Sequence, residues 1–319
     1  MEVKKMDMTL KNNQKTRTGR KKQRKFSWFD LINIALLLLL TFICFYPLYF
    51  TVIASFSDYV PVATGQVNLW PIGFQTTAYS AVFENQDIWR GYLNTIIYTI
   101  SGTAFNLFLT IPAAYVMSKK EMLGHKVLTW YFLITMYFSG GMAATYLLYK
   151  DLNLINNPLV MVVTGGLSIY NMIVTRTYFA NSIPESLYEA GRIDGSSEFG
   201  LFFRIALPLS GPILAVIALY YAVGHWNSYW NAMMYLSNKA YHPLSLVLRR
   251  ILILNESALS DDLLGMLDPE TIADMSRRAN LAVVMKYALV LISSAPMLIA
   301  YPFVQKYFVK GMMIGSVKG

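Results

Sequence analysis

Glu189-Ala190-Gly191-Arg192-Ile193-Asp194-Gly195, followed by Ile205-Ala206-Leu207-Pro208, is a polar break in the middle of an otherwise apolar chain. Just upstream, Ser182-Ile183-Pro184-Glu185 reads as a helix start. Ser182 stands in the capping position, Glu185 three residues on can reach back, and Pro184 is tolerated in a first turn. The helix runs through Leu187, Tyr188, Ala190, Gly191 and Ile193, and Gly195 stops it as a residue able to adopt left-handed geometry. A second helix follows with Phe199, Phe202, Phe203 and Ile205 as an apolar stripe, and Pro208 ends it. The pattern predicts two short helices around a glycine turn, a projecting elbow.

The surroundings of that elbow are lipid-like in composition. The 319 residues are 55% hydrophobic and 14% charged, with a mean hydropathy of +0.41. A soluble domain carries about 25% charged residues, so the balance indicates a membrane protein. A bilayer core takes about 20 apolar residues per helix, and only helices or closed barrels satisfy their backbone there. Six stretches meet that length: Leu31–Phe56 with Pro47 as an expected kink, Gly91–Ser118, Val127–Tyr149, Pro158–Thr175, Ser210–Leu236 and Leu281–Gln305. The prediction is an all-α membrane protein of six transmembrane helices.

Charge sets the orientation. Residues 1–25 hold ten Lys/Arg (Lys4, Lys5, Lys11, Lys15, Arg17, Arg20, Lys21, Lys22, Arg24, Lys25) against Glu2 and Asp7, which leaves the rest of the +9 chain near neutral. A basic run ending where an apolar run begins is a topology signal, and no aromatic or glycine pattern accompanies it to suggest nucleic acid. Contact of this tail with membrane lipid is expected from its position. No charge interrupts residues 31–57, longer than the apolar region of a signal peptide, so this helix is expected to stay. With residues 1–30, 119–126, 176–209 and 306–319 in the cytoplasm, nineteen Lys/Arg fall inside and seven outside, with Lys286 within the sixth span near its outer end. Both termini are then cytoplasmic. The expected organisation is a basic tail, 1–30, and a six-span body, 31–319, with an inner loop 176–209 and an outer loop 237–280.

The outer segments are unequal. Residues 57–90 carry Trp70-Pro71 and Trp89, aromatics of the membrane-interface kind. Residues 150–157 make a turn, and 237–280 are long enough for a small folded cap. Asp261, Asp262, Asp268, Glu270 and Asp274 cluster there, but not at calcium-loop offsets, so they read as a solvated acidic face.

Two spans carry polar patterns. The second holds Asn94, Thr95, Thr99, Ser101, Gly102, Thr103, Asn106 and Thr110. Small and hydroxyl residues pack helices together, or they face a water-filled path; no ionisable group in the span marks an ion route. The fifth holds His225-Trp226-Asn227-Ser228-Tyr229-Trp230-Asn231. In one continuous helix Trp226 and Trp230, and Asn227 and Asn231, would stack four apart on adjoining faces. Aromatic faces beside amides suit a hydroxyl-rich ligand, and an interfacial aromatic belt is the alternative. Asn94, Trp226, Asn227, Trp230 and Asn231 are the candidate substrate-path residues.

No catalytic set is present. His125, His225 and His242 lie on different segments without Cys or acidic neighbours at metal-ligand spacing, Cys44 is the sole cysteine, and no Walker A phosphate loop occurs. No metal site and no enzyme activity are expected, and if the protein takes part in active transport its nucleotide chemistry must come from another chain. The residues alone leave open a motor-driven transporter and a passive channel or membrane receptor working without an ATPase.

The spacing Glu-Ala-x₄-Gly-x₉-Ile-x-Leu-Pro after a fourth span resembles the EAA loop of permease subunits of ABC importers. The matching residues are Glu189, Ala190, Gly195, Ile205, Leu207 and Pro208, with Asp194 before the glycine as in sugar-type members. Gly191 departs from the motif, which usually has a second alanine there; the change lowers helix propensity by about 1 kcal/mol and is expected to keep the surface small. The whole chain is similar to the six-span carbohydrate permeases, the smaller maltose-type subunit in particular. Its end, Tyr301-Pro302-Phe303 through Ser316-Val317-Lys318-Gly319, looks like that of a polysaccharide and oligosaccharide uptake branch common in Gram-positive bacteria.

The resemblance implies a type I ABC importer permease fold, a plasma-membrane location, a second homologous permease, two ATPase subunits and an extracellular substrate-binding lipoprotein. It implies no cofactor in this chain, with ATP and Mg bound by the partner ATPase. Glu189, Ala190, Gly191, Asp194, Gly195, Ile205, Leu207 and Pro208 become ATPase-coupling residues that dock in a groove and move with ATP-driven closure. Loop 237–280 matches the position of a loop that probes the binding protein.

Overall fold

A computed structural model describes residues 28–257 and 269–315, and every element in them is helical. The first 27 residues, which hold the basic tail, the acids of 261–268 and the last four residues lie outside the described residues. The chain packs as two units, Met1–Tyr49 and Phe50–Gly319. In the first, α1 (Trp28–Ser55) begins as an unbroken helix; it continues into the second and carries Pro47 inside it. Its apolar side chains from Leu31 to Ile43 are exposed, as suits a helix solvated by lipid tails.

In the second unit, α2 (Tyr59–Ala63) and α3 (Thr77–Glu84) are short, and Asp58 caps the first by accepting from the Tyr59 N–H. The central column is α4, Gln86–Ser118, 33 residues or about 50 Å at 1.5 Å per residue. It starts five residues before the expected span because the Asn85 side chain caps it at Asp87, and it ends where expected, at Ser118. The helices packed around it are α8 (Ile169–Ser182), α11 (Gly211–Trp226), α13 (Leu244–Ser257) and the four-residue α7 (Val160–Val163).

Three of the expected spans are not single straight helices. The third breaks into α5 (His125–Tyr137) and α6 (Gly141–Asp151), bent by 109° at Phe138-Ser139-Gly140, where two glycines follow a helix-breaking serine. The fourth splits into α7 and α8 around Gly165-Gly166, and α8 runs on past Thr175 to Ser182. Residues 176–182, expected as loop, are therefore helix. The fifth is α11 and α12 (Tyr229–Tyr235), separated at Asn227-Ser228. The sixth lies inside α14 (Pro269–Gly315), whose 47 residues carry Pro296 and Pro302. Among the described residues three helices are long and apolar enough to cross a membrane, or up to five if α5 with α6, and Glu198–Leu209 with α11, each make one crossing. The expected folded cap at 237–280 is, in its described part, a short 3₁₀ turn (Lys239–Tyr241), α13 and the start of α14.

The polar face of α4 is used for packing. Thr95 is buried; its Oγ1 donates to Gly91 O at 2.8 Å and accepts from the Leu244 N–H at 2.8 Å. Asn106 Nδ2 donates to Gly165 O and Gly166 O, both at 2.9 Å, closing the break between α7 and α8, while its Oδ1 lies 2.6 Å from His225 Nε2. Thr110 Oγ1 and Tyr221 OH are 2.6 Å apart, and that hydroxyl also accepts from the Ser168 N–H. A buried polar group costs stability unless bonded, and these bonds join helices distant in sequence.

Candidate functional site

The elbow forms at one end of α4. Helix α9, Glu185–Ile193, is preceded by Pro184 in an extended conformation, and no side chain caps it. The expected capping box is absent because Ser182 is still the last residue of α8. Glu185 turns instead toward Arg192, 3.6 Å away. At the other end the glycine reading holds. Gly195 has φ +78°, its N–H donates to Arg192 O at 3.0 Å, and the Ser196 N–H donates to Gly191 O at 2.9 Å. That pair of bonds is the Schellman closure, which needs a left-handed residue between them. Ser197 then caps α10 (Glu198–Leu209) by accepting from the Gly200 N–H, and a π turn over Phe202–Ala206 widens that helix. Ser210 ends it, and α11 leaves at 79°.

The elbow has an inner and an outer face. Gly191 is buried rather than at the surface: a Cβ there would lie 2.5 Å from Leu201 Cδ2 and 3.0 Å from Ile205 Cδ1. The departure from alanine lets the two elbow helices cross closely, so the expected surface role is corrected to a packing one. Ile205 and Leu207 are half-buried against the same core. Glu189, Ala190, Asp194, Gly195 and Pro208 are exposed. Around them the elbow exposes apolar side chains: Ile193 is 85% exposed, Phe199 79% and Phe203 58%, and Leu187 of α9 is exposed too. Of the expected stripe on α10, then, Phe202 points inward and Phe199 and Phe203 point out. An apolar cluster on a projecting, polar-backed element marks an interaction surface. Arg192 spans Glu185 and Glu198 (3.3 Å), all three well exposed, an arrangement contributing about 0–1 kcal/mol per pair.

The inner face is aromatic. Tyr188 of α9 is 1% exposed and packs with Tyr115 of α4, whose ring centroid is 5.0 Å from Phe202 and 5.7 Å from Phe179 of α8. Lys119, one residue past the end of α4, places its ammonium 3.3 Å from the Tyr188 ring centroid, a close cation–π contact. Burial is the main cause that lowers the Lys119 pKa, and burial raises that of Tyr188. The last-turn carbonyl of Met117 accepts from Arg176 Nε at 2.8 Å and lies 3.1 Å from His125 Nε2, which places the Arg176 cation where the α4 dipole favours it. A cleft of about 660 Å³ opens beside this base, between Lys119, Glu185, Tyr188 and Arg192.

Sequence reasoning missed Tyr115, Lys119 and Phe179 as parts of this site. Tyr188 carried the one available signal, an aromatic facing opposite the polar residues of α9, while the others come from segments far away in sequence.

The candidate substrate-path residues do not form one patch. Because α11 ends at Trp226 and α12 begins at Tyr229, Trp226 and Trp230 stand on different helices, and the four-apart stacking does not occur. Trp226 is buried, donates Nε1–H to Ser293 O at 3.0 Å and meets Tyr92 edge-on. Trp230 is half-exposed beside Tyr229. Asn227 Nδ2 donates back to Val223 O at 3.0 Å, and Asn231 is half-buried. Asn94 acts structurally: its Nδ2 donates to Ala240 O (2.8 Å) and His242 O (3.0 Å). Tyr98 OH donates to Tyr241 O at 2.9 Å, so α4 holds residues 240–244 at its far end. Among the described residues no group of three or more His, Cys, Asp or Glu side chains is placed to hold a metal.

Residues 88–314 match the family model described as binding-protein-dependent transport system inner membrane component. The chain is 36% identical over 293 residues to protein LplC of Bacillus subtilis, covering 91% of this chain and 95% of that one. It is 35% identical over 291 residues to the polygalacturonan/rhamnogalacturonan transport system permease protein YtcP of the same organism, covering 91% and 98%. Among solved structures, a chain of a bacterial ABC transporter involved in the import of the acidic polysaccharide alginate superposes with a TM-score of 0.79 at 30% identity, covering 91% of this chain and all of that one.

Proposed function

The chain belongs to the binding-protein-dependent transport system inner membrane component family, and on that premise we propose that its elbow is where an ATPase pushes on an importer of oligosaccharides cut from a polysaccharide. It is a transporter permease, and the family is not one of enzymes. The observation that carries the docking reading is the apolar tip of Ile193, Phe199 and Phe203, standing exposed on a turn fixed by Gly195. A passive channel or receptor has no use for such a tip.

In this reading two ATPase subunits bind ATP and Mg, one of them seating this elbow and the other that of a second permease, and a binding lipoprotein delivers the sugar from outside. Both termini and the elbow are cytoplasmic; loop 237–280 faces out. Glu189, Ala190, Asp194, Gly195 and Pro208 edge the tip, while Gly191, Ile205 and Leu207 hold its two helices together. Tyr188 passes movement of the elbow to Tyr115 and so to α4, whose far end grips residues 240–244. Alternating access then follows from differential binding: a shift from 1:99 to 99:1 takes about 5.5 kcal/mol, supplied jointly by ATP and the loaded binding protein.

Gly195→Asp in the reconstituted importer tests this. A Cβ at Gly195 meets nothing within 4 Å, so the substitution strains the left-handed turn and adds charge at the tip without disturbing the core. Binding-protein-stimulated ATP hydrolysis is expected to fall at least about ten-fold, which is 1.4 kcal/mol of coupling. Normal stimulated hydrolysis contradicts the docking assignment.

A further inference from the structure

A second cavity, of about 340 Å³, lies between α12, α13 and α14, well away from the elbow. It is lined by Tyr229, Ser245, Arg249 and Lys286 together with the apolar side chains of Leu248, Leu289 and Val290. Among the described residues, two cations and no carboxylate share this space. Neither cation has an acidic partner among the described residues, although the neighbouring Arg250 is paired with Asp87 at 2.6 Å. Arg249 stacks 5.4 Å from the Tyr229 ring and gives one N–H to Met233 sulfur, a weak acceptor, which leaves most of its fork unused among the described residues. The Ser245 hydroxyl is buried and has no hydrogen-bond partner among the described residues.

Lys286 stands within Asn280–Pro302, a stretch apolar enough to cross a membrane, about 9 Å from its start at 1.5 Å per residue. A cation inside a membrane span is costly against hydrocarbon and marks a substrate or ion pathway. Two like charges converging on one cavity repel each other until an anion enters. The remaining lining, a phenol, a hydroxyl and an apolar wall, matches the hydroxyls and C–H face of a sugar ring. Trp230, half-exposed beside Tyr229, extends the aromatic side.

We propose that this cavity is a carboxylate-recognising subsite on the translocation path. Lys286 and Arg249 bind the acid group of a uronate-containing oligosaccharide while Tyr229 and Ser245 meet its hydroxyls. The subsite rests on the reading of the chain as an oligosaccharide permease and adds that the cargo is anionic.

The test is uptake by the importer reconstituted with its binding protein, using trigalacturonate and its neutral methyl ester as probes. Lys286→Gln and Arg249→Gln are each expected to raise the KM for the acid by about ten-fold, the scale of one charged hydrogen bond. Ester uptake stays unchanged, and Lys286→Arg stays within about two-fold of the parent. If the parent accepts only the acid, the separation of Lys286→Arg from Lys286→Gln carries the result. Equal losses for both probes, or no loss for either, overturn the subsite and leave the permease reading intact. Liposomes of phosphatidylcholine, with and without phosphatidylglycerol, separate the lipid source of anion. An effect of the variants that follows phosphatidylglycerol content rather than the probe assigns the cations to headgroups and overturns the subsite. Parent liposomes that accumulate neither probe overturn the uronate cargo and the subsite with it, and leave the family assignment intact.

Discussion

The two ends of α4 are held by different forces. At the elbow end, Tyr115 meets Phe179, Tyr188 and Phe202 through ring packing, with Lys119 over the Tyr188 face. At the far end, Asn94, Thr95 and Tyr98 bond the backbone of residues 240–244 at 2.8–3.0 Å. Apolar burial is non-directional and lets one helix roll on another, whereas hydrogen bonds weaken steeply when bent. The difference teaches how one helix can take up a push at one end and deliver it at the other. The input end is built to tolerate a change of angle, and the output end keeps loop and helix in register.

The largest expected effect comes from removing the input packing. Tyr188→Ala deletes a fully buried ring and is expected to destabilise by about 3–5 kcal/mol, read as a lower melting temperature of the detergent-solubilised importer and loss of stimulated ATP hydrolysis. Tyr188→Phe sharpens the comparison, because the Tyr188 hydroxyl is buried without a partner among the described residues. Losing it is expected to be neutral or mildly stabilising, and a Phe variant as damaged as the Ala variant shows that packing is not the force at this end.

At the output end, Asn94→Ala leaves the carbonyls of Ala240 and His242 without their donor, at a cost of about 1–3 kcal/mol. Faster proteolysis within 237–280, with docking of the ATPase unchanged, is the expected pattern; an unchanged cleavage rate contradicts the staple.

How much of this was legible beforehand depends on the range of the interaction. Gly195, Asp194 and the helices on either side of them are local, and their pattern sets the turn. The glycines at 140–141 and 165–166 are equally visible, but apolar run length outweighs them, so spans three and four each read as one stretch where the chain bends. The break at Asn227-Ser228 was hidden because both residues also fit a helix end or a ligand face. Gly191 was read as a surface compromise because its neighbours Leu201 and Ile205 come from the other elbow helix. The hydrogen bonds of Asn94 are hidden for a related reason: its partners lie at 240 and 242, a pairing that no local pattern carries.

Smaller effects probe each end once more. Lys119→Met removes the cation over Tyr188 but also a charge that burial disfavours, so the two offset and a net change below about 1 kcal/mol is expected; Lys119→Glu, which leaves the ring facing an anion, is expected to cost more in the same melting assay. The smallest is a pH effect at the far end. Burial is the main cause holding the His242 pKa below 6.5, with Arg250 and Lys239 adding to it. Between its folded and unfolded pKa the unfolded state binds more protons, so stability rises with pH through that window and is level above about 6.5. His242→Gln is expected to flatten that slope in melting curves taken from pH 5 to 7.

The central claim is that the tip at Ile193 and Phe199 is where an ATPase engages this chain. With Cys44 replaced by Ser, Cys44 being the sole cysteine, Ile193→Cys in the assembled importer can be joined to a cysteine in the ATPase groove by a short bifunctional reagent. The account predicts a cross-link between permease and ATPase that forms in intact membranes and stops uptake until it is cleaved. A tip that cross-links to no ATPase, while the importer hydrolyses ATP and accumulates sugar normally, contradicts it.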